Sequence, residues 1–311
     1  MPRSYYRMKI KKMERNIQFE SSPDGFGVLI GGKIFTRFIA RTSLPKPIFY
    51  PLFTPSGIAV TRSVPEVDGG PAVTDHPHHR GLWTGHGSVN GCDFWEEYKS
   101  DHGNIKVEYV SYKSGKTMGH IHITAIWEDS TGEKILREQR RCDIFGLPDA
   151  NIMDFNIALT PAEDRAVTFG DTKEGGLVAV RIAPWMVAEK TGRIFNAEAL
   201  SYSGRTGGPE VTWGKRASWC ACCGQTKAEA SATVAIIHRP GGFRFPTWWH
   251  VRAYGLFTAN PFGQSFFESD ATPPLSGDFT IRSGESLATS YRIIVADGEL
   301  SSQRIMEIQQ I

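Results

Sequence analysis

The chain has 311 residues, 40% of them hydrophobic and 22% charged, enough for one large globular domain or two smaller ones. Thirty-five lysines and arginines against 33 acidic residues leave a formal net charge of +2, which offers no electrostatic footprint for nucleic acid or a membrane surface. No stretch approaches the roughly 20 apolar residues that span a bilayer, so a cytoplasmic protein without a membrane partner is expected.

Residues 1–16 form a basic arm carrying Arg3, Arg7, Lys9, Lys11, Lys12 and Arg15, with no apolar run of signal-peptide length behind the charges. A single β domain is expected over 17–311. Ile17 to Ala40 alternates apolar and polar residues between glycine turns, the pattern of short antiparallel strands. Pro45, Pro47 and Pro51 make the next segment an extended connector. Gly57 to Val64, which carries Arg62, reads as a strand.

The most informative stretch is Asp75-His76-Pro77-His78-His79-Arg80-Gly81-Leu82-Trp83-Thr84-Gly85-His86-Gly87, which holds four of the nine histidines. Imidazole moves protons near neutral pH and is the commonest metal ligand. Pro77 and the glycines oppose a helix, so a loop entering a short strand from Gly81 is expected. On an extended chain His76, His78 and Arg80 share one side and His79 takes the other. Asn90, Asp93, Trp95, Glu96 and Glu97 follow closely.

Lys106 to Leu159 reads as an antiparallel meander, in which His120 and His122 lie on a solvated face. Thr168 to Gly176 places Asp171, Lys173 and Glu174 between glycines, ahead of Arg181. Trp213 and Trp219 flank Lys215 and Arg216. Cys220, Cys222 and Cys223 lack a second pair at zinc-site spacing, and five cysteines without an export signal do not make a disulfide framework. In Trp249-His250-Val251-Arg252-Ala253-Tyr254, strand alternation gives His250, Arg252 and Tyr254 one face. Asn260-Pro261-Phe262-Gly263 follows. Phe279 to Val295 is strand-turn-strand, and Ser301 to Ile311 a short terminal helix.

Taken together, Asp75 to Trp83, Asp93-Phe94-Trp95, Asp171 to Gly175, Trp249 to Arg252 and Asn260 to Gly263 resemble the bacterial family labelled PmoA-like, or methane oxygenase. The resemblance runs from about Phe49 to about Val295. It implies an all-β, antiparallel β-supersandwich of the galactose-mutarotase-like kind.

The residues point to an enzyme that uses histidine acid–base chemistry on a sugar or uronate, as an epimerase, lyase or hydrolase. Candidate catalytic groups are His78, His79, His86, Glu174 and His250. Candidate substrate contacts are Arg62, Asp75, His76, Arg80, Trp83, Asn90, Trp95, Asp171, Lys173, Arg181, Trp213, Arg252 and Asn260. The cations suit a carboxylate or developing negative charge, and the tryptophans suit a sugar face. No cofactor is called for on this reading. The alternative is a divalent transition metal (Zn, Cu or Fe) on His76, His78, His79 and His86, serving a hydrolase or oxygenase. A non-catalytic sugar-binding protein is the second alternative. The partner expected is a small-molecule or oligosaccharide substrate, and a homo-oligomer stays open.

Overall fold

The computed structural model describes residues 15–204, 211–271 and 276–311. Of the basic arm expected over 1–16, residues 1–14 lie outside the described residues; Arg15 donates to the Pro148 carbonyl. Nineteen strands and three short helices follow among the described residues. The first half contains β1 (Ile17–Ser22), β2 (Gly25–Ile30), β3 (Lys33–Ile39), β4 (Ile48–Phe49), α1 (Pro65–Asp68), β5 (Leu82–His86), β6 (Asn104–Lys113), β7 (Gly119–Glu128), β8 (Lys134–Gly146) and β9 (Ala150–Pro161). The second contains β10 (Val167–Phe169), β11 (Gly175–Arg181), β12 (Arg193–Asn196), β13 (Ser201–Tyr202), β14 (Trp219–Gln225), β15 (Ser231–His238), β16 (Trp248–Val251), β17 (Leu256–Asn260), α2 (Gln264–Phe267), β18 (Phe279–Ile281), β19 (Leu287–Asp297) and α3 (Ser302–Gln309).

One eight-stranded sheet runs β1-β2-β3-β4-β5-β11-β17-β16, and one nine-stranded sheet runs β13-β12-β14-β15-β19-β9-β8-β7-β6. Their pairings are antiparallel, as in β5 with β11 and β19 with β9. The fold is thus all-β, an antiparallel β-supersandwich. No helix among the described residues is long and apolar enough to cross a membrane.

Period-two alternation decides what each face holds. Along β19, Tyr291, Ile293 and Val295 enter the main core between the sheets, while Ile294 and Ala296 face the other way. There they meet Ile305 and Ile308 of α3, a helix capped by Ser301, whose side chain accepts from the Arg304 amide. Cys220 and Cys222 of β14 belong to the main core and Cys223 to the cluster under α3; all five cysteines are free.

The eight-stranded sheet alternates likewise. Leu82, Val180, Trp249, Val251 and Phe257 fill the main core. Trp83, Ala179 and Leu256 face outward and are roofed by Leu44, Tyr50, Val64 and Trp95. This roof is built from connectors rather than from a helix. Trp83 is fully buried in it, and its truncation to alanine would cost about 3–5 kcal/mol. Gly57 to Val64 belongs to these connectors. It forms no strand of the sheets, contrary to the sequence expectation, and makes only isolated bridges such as Thr61 with Ile182. The turn at Gly57, with φ of 94°, breaks the extended run.

Candidate functional site

The histidine loop lies on this outward face. It is a turn and not an extended chain: the His79 amide donates to the His76 carbonyl at 3.0 Å, and His76 has a φ of 47°. The alternation expected from the sequence therefore fails, and all three imidazoles come together. The His76 and His79 rings stack at 4.9 Å, and the His78 ring lies 4.3 Å from that of His79. The stack extends both ways, from His76 to Tyr254 at 4.9 Å and from His79 to Trp83 at 5.3 Å. Burial pushes His78 down to about 3 and His79 well below the usual imidazole range, so both rings are neutral at pH 7.

Arg62 fastens the turn. Its Nη1 donates to the Asp75 carbonyl at 2.7 Å, and its Nη2 to the carbonyls of His76 at 2.7 Å and His79 at 3.0 Å. Arg80 is likewise committed, to Glu66 at 2.8 Å and Glu97 at 2.6 Å. Glu97 also pairs with buried Lys46 at 2.6 Å. Burial raises the Glu97 carboxyl, but Lys46 and Arg80 outweigh it and hold the group low. A cavity of about 320 Å³ beside this ion-paired chain is lined by Arg62, Val64, Glu66, Val73, His79 and Arg80. Arg62 and Arg80, expected to touch substrate, line this cavity and also hold the loop through these bonds.

Glu174, just ahead of β11, and His250 of β16 reach the same face. Trp249 and Val251 point into the core, so His250 between them points out, and it is 2% exposed. Its Nδ1 donates to the Lys173 carbonyl at 2.6 Å, which fixes the tautomer and leaves the lone pair on Nε2. Burial pushes this ring down to about 4, against the opposing pull of the Glu174 carboxylate. Lys173 pairs with Glu174 at 2.6 Å. Glu174 also acts electrostatically on Glu96, Tyr98 and Tyr254. Burial raises the Glu96 carboxyl, and Asp93 and Glu174 raise it further. Tyr98 stands edge-on to His78 at 5.1 Å and is 59% exposed.

Several expected site residues serve elsewhere. His86 shares its strand face with Leu82 and Thr84, opposite to Trp83, so it points into the core against Phe169 and Phe262. It is fully buried, and its Nε2 donates to the Gly170 carbonyl at 2.8 Å. Trp83 and Trp95 are also fully buried and offer no face to a sugar. Asn90 sits in a turn with φ of 50° and accepts from the Thr168 amide. Asp171 accepts from the amides of Ser265 and Gly277, tying down neighbouring loops. Asn260 holds the backbone of Thr172 and Lys173, and so positions Glu174 without facing a substrate. Trp213 packs edge-on against His250 and Phe267 at the border of the site. Arg252 lies 5.9 Å from the Tyr254 ring, but β16 ends at Val251, so the expected alternation through Tyr254 does not apply.

The metal set is not assembled. The His76 and His79 planes are 11° from parallel, so their in-plane lone pairs do not converge on one ion, and His86 lies on the opposite face of the sheet. Among the described residues no three His, Cys, Asp or Glu side chains are grouped to hold a metal. Sequence reasoning gave Tyr98 no role. Nothing in its surroundings signals that it is exposed beside a buried imidazole.

Fold and site together define a β-supersandwich protein with a cluster of titratable side chains on the outer face of one sheet. The chain belongs to the family of unknown function DUF6807, whose model matches residues 26–310. No curated protein matches it. The solved structures it is similar to include the GH36 alpha-galactosidase AgaA from Geobacillus stearothermophilus, at 9% identity over 90% of this chain and 40% of that one, with a TM-score of 0.45. AgaB from the same organism gives 8% identity, 92% and 41% coverage and a TM-score of 0.46. A galactose mutarotase related enzyme from Lactobacillus acidophilus gives 9% identity, 92% and 98% coverage and a TM-score of 0.34. The chain therefore spans about two fifths of the galactosidases' length. The resemblance to the methane-oxygenase-labelled family rests on its motifs alone.

Proposed function

We propose that this protein is a carbohydrate-active enzyme that moves protons at sugar carbons, as an epimerase or lyase does. The observation that carries this reading is the approach of neutral His250, its lone pair on Nε2, to Glu174, on the same face as neutral His78 and exposed Tyr98. A sugar carbon that loses and regains a proton needs a base and an acid at hand. His250 is the base through Nε2. Glu174 stabilises the imidazolium that results. Glu96, with its raised carboxyl, is the acid, and His78 assists from the other side of the bound ring. Tyr98 supplies a stacking surface.

The test is proton exchange. Aldoses, uronates and short oligosaccharides are incubated with the protein in D2O, and deuterium entry at sugar carbons, epimer formation and elimination are followed by NMR. The expected result is one substrate class that exchanges or converts, with the rate lost in His250→Ala and Glu174→Gln while the fold is kept. Variants that unfold would make the histidines structural. Sugar binding without exchange or conversion would make the protein a binding module.

A further inference from the structure

Arg181 projects from β11 on the outward side, two residues beyond Ala179, and is 3% exposed. Its Nη2 donates to the Asp75 carboxylate, while its Nε and Nη1 are buried without a hydrogen-bond partner. The guanidinium carbon lies 4.6 Å from the centre of the Tyr254 ring. On that same ring His76 stacks at 4.9 Å, tilted by 10°. One dipeptide thus sets a flat ring on Tyr254 and a carboxylate on Arg181.

The two halves of this contact are unequal. Arg181 is buried on a central strand, whereas the side chains of Asp75 and His76 are 56% and 39% exposed. They end a connector that passes through Gly69 and Gly70, around which a Cβ would meet nothing within 4 Å. His76 is held at a φ of 47°, a region that costs a residue other than glycine free energy. A buried guanidinium with open donors suits a carboxylate, because its fork binds two oxygens at once. A half-exposed loop carboxylate is a replaceable partner for it.

We infer that the site takes an acidic sugar, a pyranose bearing a carboxylate, and that Asp75 and His76 stand in its place until it arrives. The inference rests on the sugar reading above. The sugar ring takes the position of the His76 imidazole on Tyr254. Its carboxylate takes that of Asp75 on Arg181 and also meets Nε or Nη1. The Asp75 and His76 side chains rotate out to solvent while Arg62 keeps its hold on their carbonyls, and Asp75 gives up its 3.6 Å ion pair with Arg62 as well. Of the other acidic groups, Glu174 is paired with Lys173 at 2.6 Å and Asp93 is engaged by the amides of Trp95 and Glu96, while Glu189 also acts electrostatically on Arg181.

The experiment is a binding comparison on the whole chain by ligand-observed NMR and calorimetry. The probes are galacturonate and glucuronate against galactose and glucose, each at low and high salt. The acidic sugars are expected to bind about tenfold more tightly than their neutral counterparts, with the preference shrinking at high salt. Asp75→Asn removes the competing carboxylate, and acidic-sugar affinity should rise several-fold. Arg181→Gln should abolish the preference. Should Arg181→Gln fail to fold, Asp75→Asn decides alone, since its side chain is half exposed. Equal binding of acidic and neutral sugars would overturn the inference and leave the sugar reading standing. Acidic-sugar affinity that is unchanged or lower in Asp75→Asn would overturn the stand-in role. No binding by any of the four sugars would sink both readings together.

Discussion

Replacing Asn260 with alanine removes four hydrogen bonds from a place that water does not reach. The side chain is fully buried. Its Nδ2 donates to the carbonyls of Thr172 at 2.9 Å and Lys173 at 3.0 Å. Its Oδ1 accepts from the amides of Phe262 at 2.9 Å and Gly263 at 3.2 Å. At a net worth of about 1 kcal/mol per bond, the loss comes to about 4 kcal/mol, near the upper end for a point substitution. Urea unfolding reads it as a lower midpoint at constant slope. Asn260→Asp sharpens the test. One oxygen still serves the two amides, but the other faces two carbonyl oxygens. That environment raises the folded-state pKa of the new carboxyl above its unfolded value of about 4. The folded state then holds the proton more tightly, so stability falls as pH rises from about 4, and the deficit is complete above the raised value. Activity should fall with stability, because the Lys173 carbonyl also receives the His250 proton. A cost under about 1 kcal/mol in both variants would refute the claim that Asn260 holds the Glu174 loop.

Three further outcomes are expected. His78, His86, His238 and His250 are pushed down by burial to about 3, 4, 4 and 4. Between pH 6.5 and 4 the unfolded chain therefore binds more protons, and stability falls on acidification at up to about 1.4 kcal/mol per pH unit for each histidine. Thermal unfolding at pH 7, 6 and 5 checks this, and a flat profile contradicts it. Glu97→Gln leaves Lys46 and Arg80 buried without their shared counter-charge and should cost about 3–5 kcal/mol in a denaturant titration. A loss near zero would mean that water solvates the two cations. Tyr98→Ala should change stability by less than about 0.5 kcal/mol, since the ring is exposed, yet weaken sugar binding several-fold. Unchanged affinity would remove Tyr98 from the site.

The sheets were legible because period-two alternation is a local property. Tyr291, Ile293 and Val295 announce one face of β19 wherever that strand is placed. The place of the candidate site in the chain was legible because four imidazoles in thirteen residues exceed what packing requires. What each residue does was less so. His86 and His78 belong to one motif, yet one turn and a strand put them on opposite sides of a sheet. Arg62 and Arg80 look like anion binders, but their partners are carbonyls and carboxylates that lie 13 to 17 residues away along the chain. Asn260 and Asp171 are conspicuous in sequence for backbone contacts that become visible only in three dimensions. Tyr98 carried no signal, because exposure beside a buried imidazole is set by the fold and not by neighbouring residues.

The order of the strands has a kinetic consequence. Asp75 meets Arg181 across 106 residues, Thr172 meets Asn260 across 88, and Lys173 meets His250 across 77. Closing loops of this length costs entropy before any contact compensates. Pairings this distant form more slowly than hairpins such as β7 with β8. The cluster of titratable groups has no local nucleus of its own: it comes into being only when β5, β11, β17 and β16 lie side by side. A peptide carrying residues 75–87 would contain the histidines and none of their geometry.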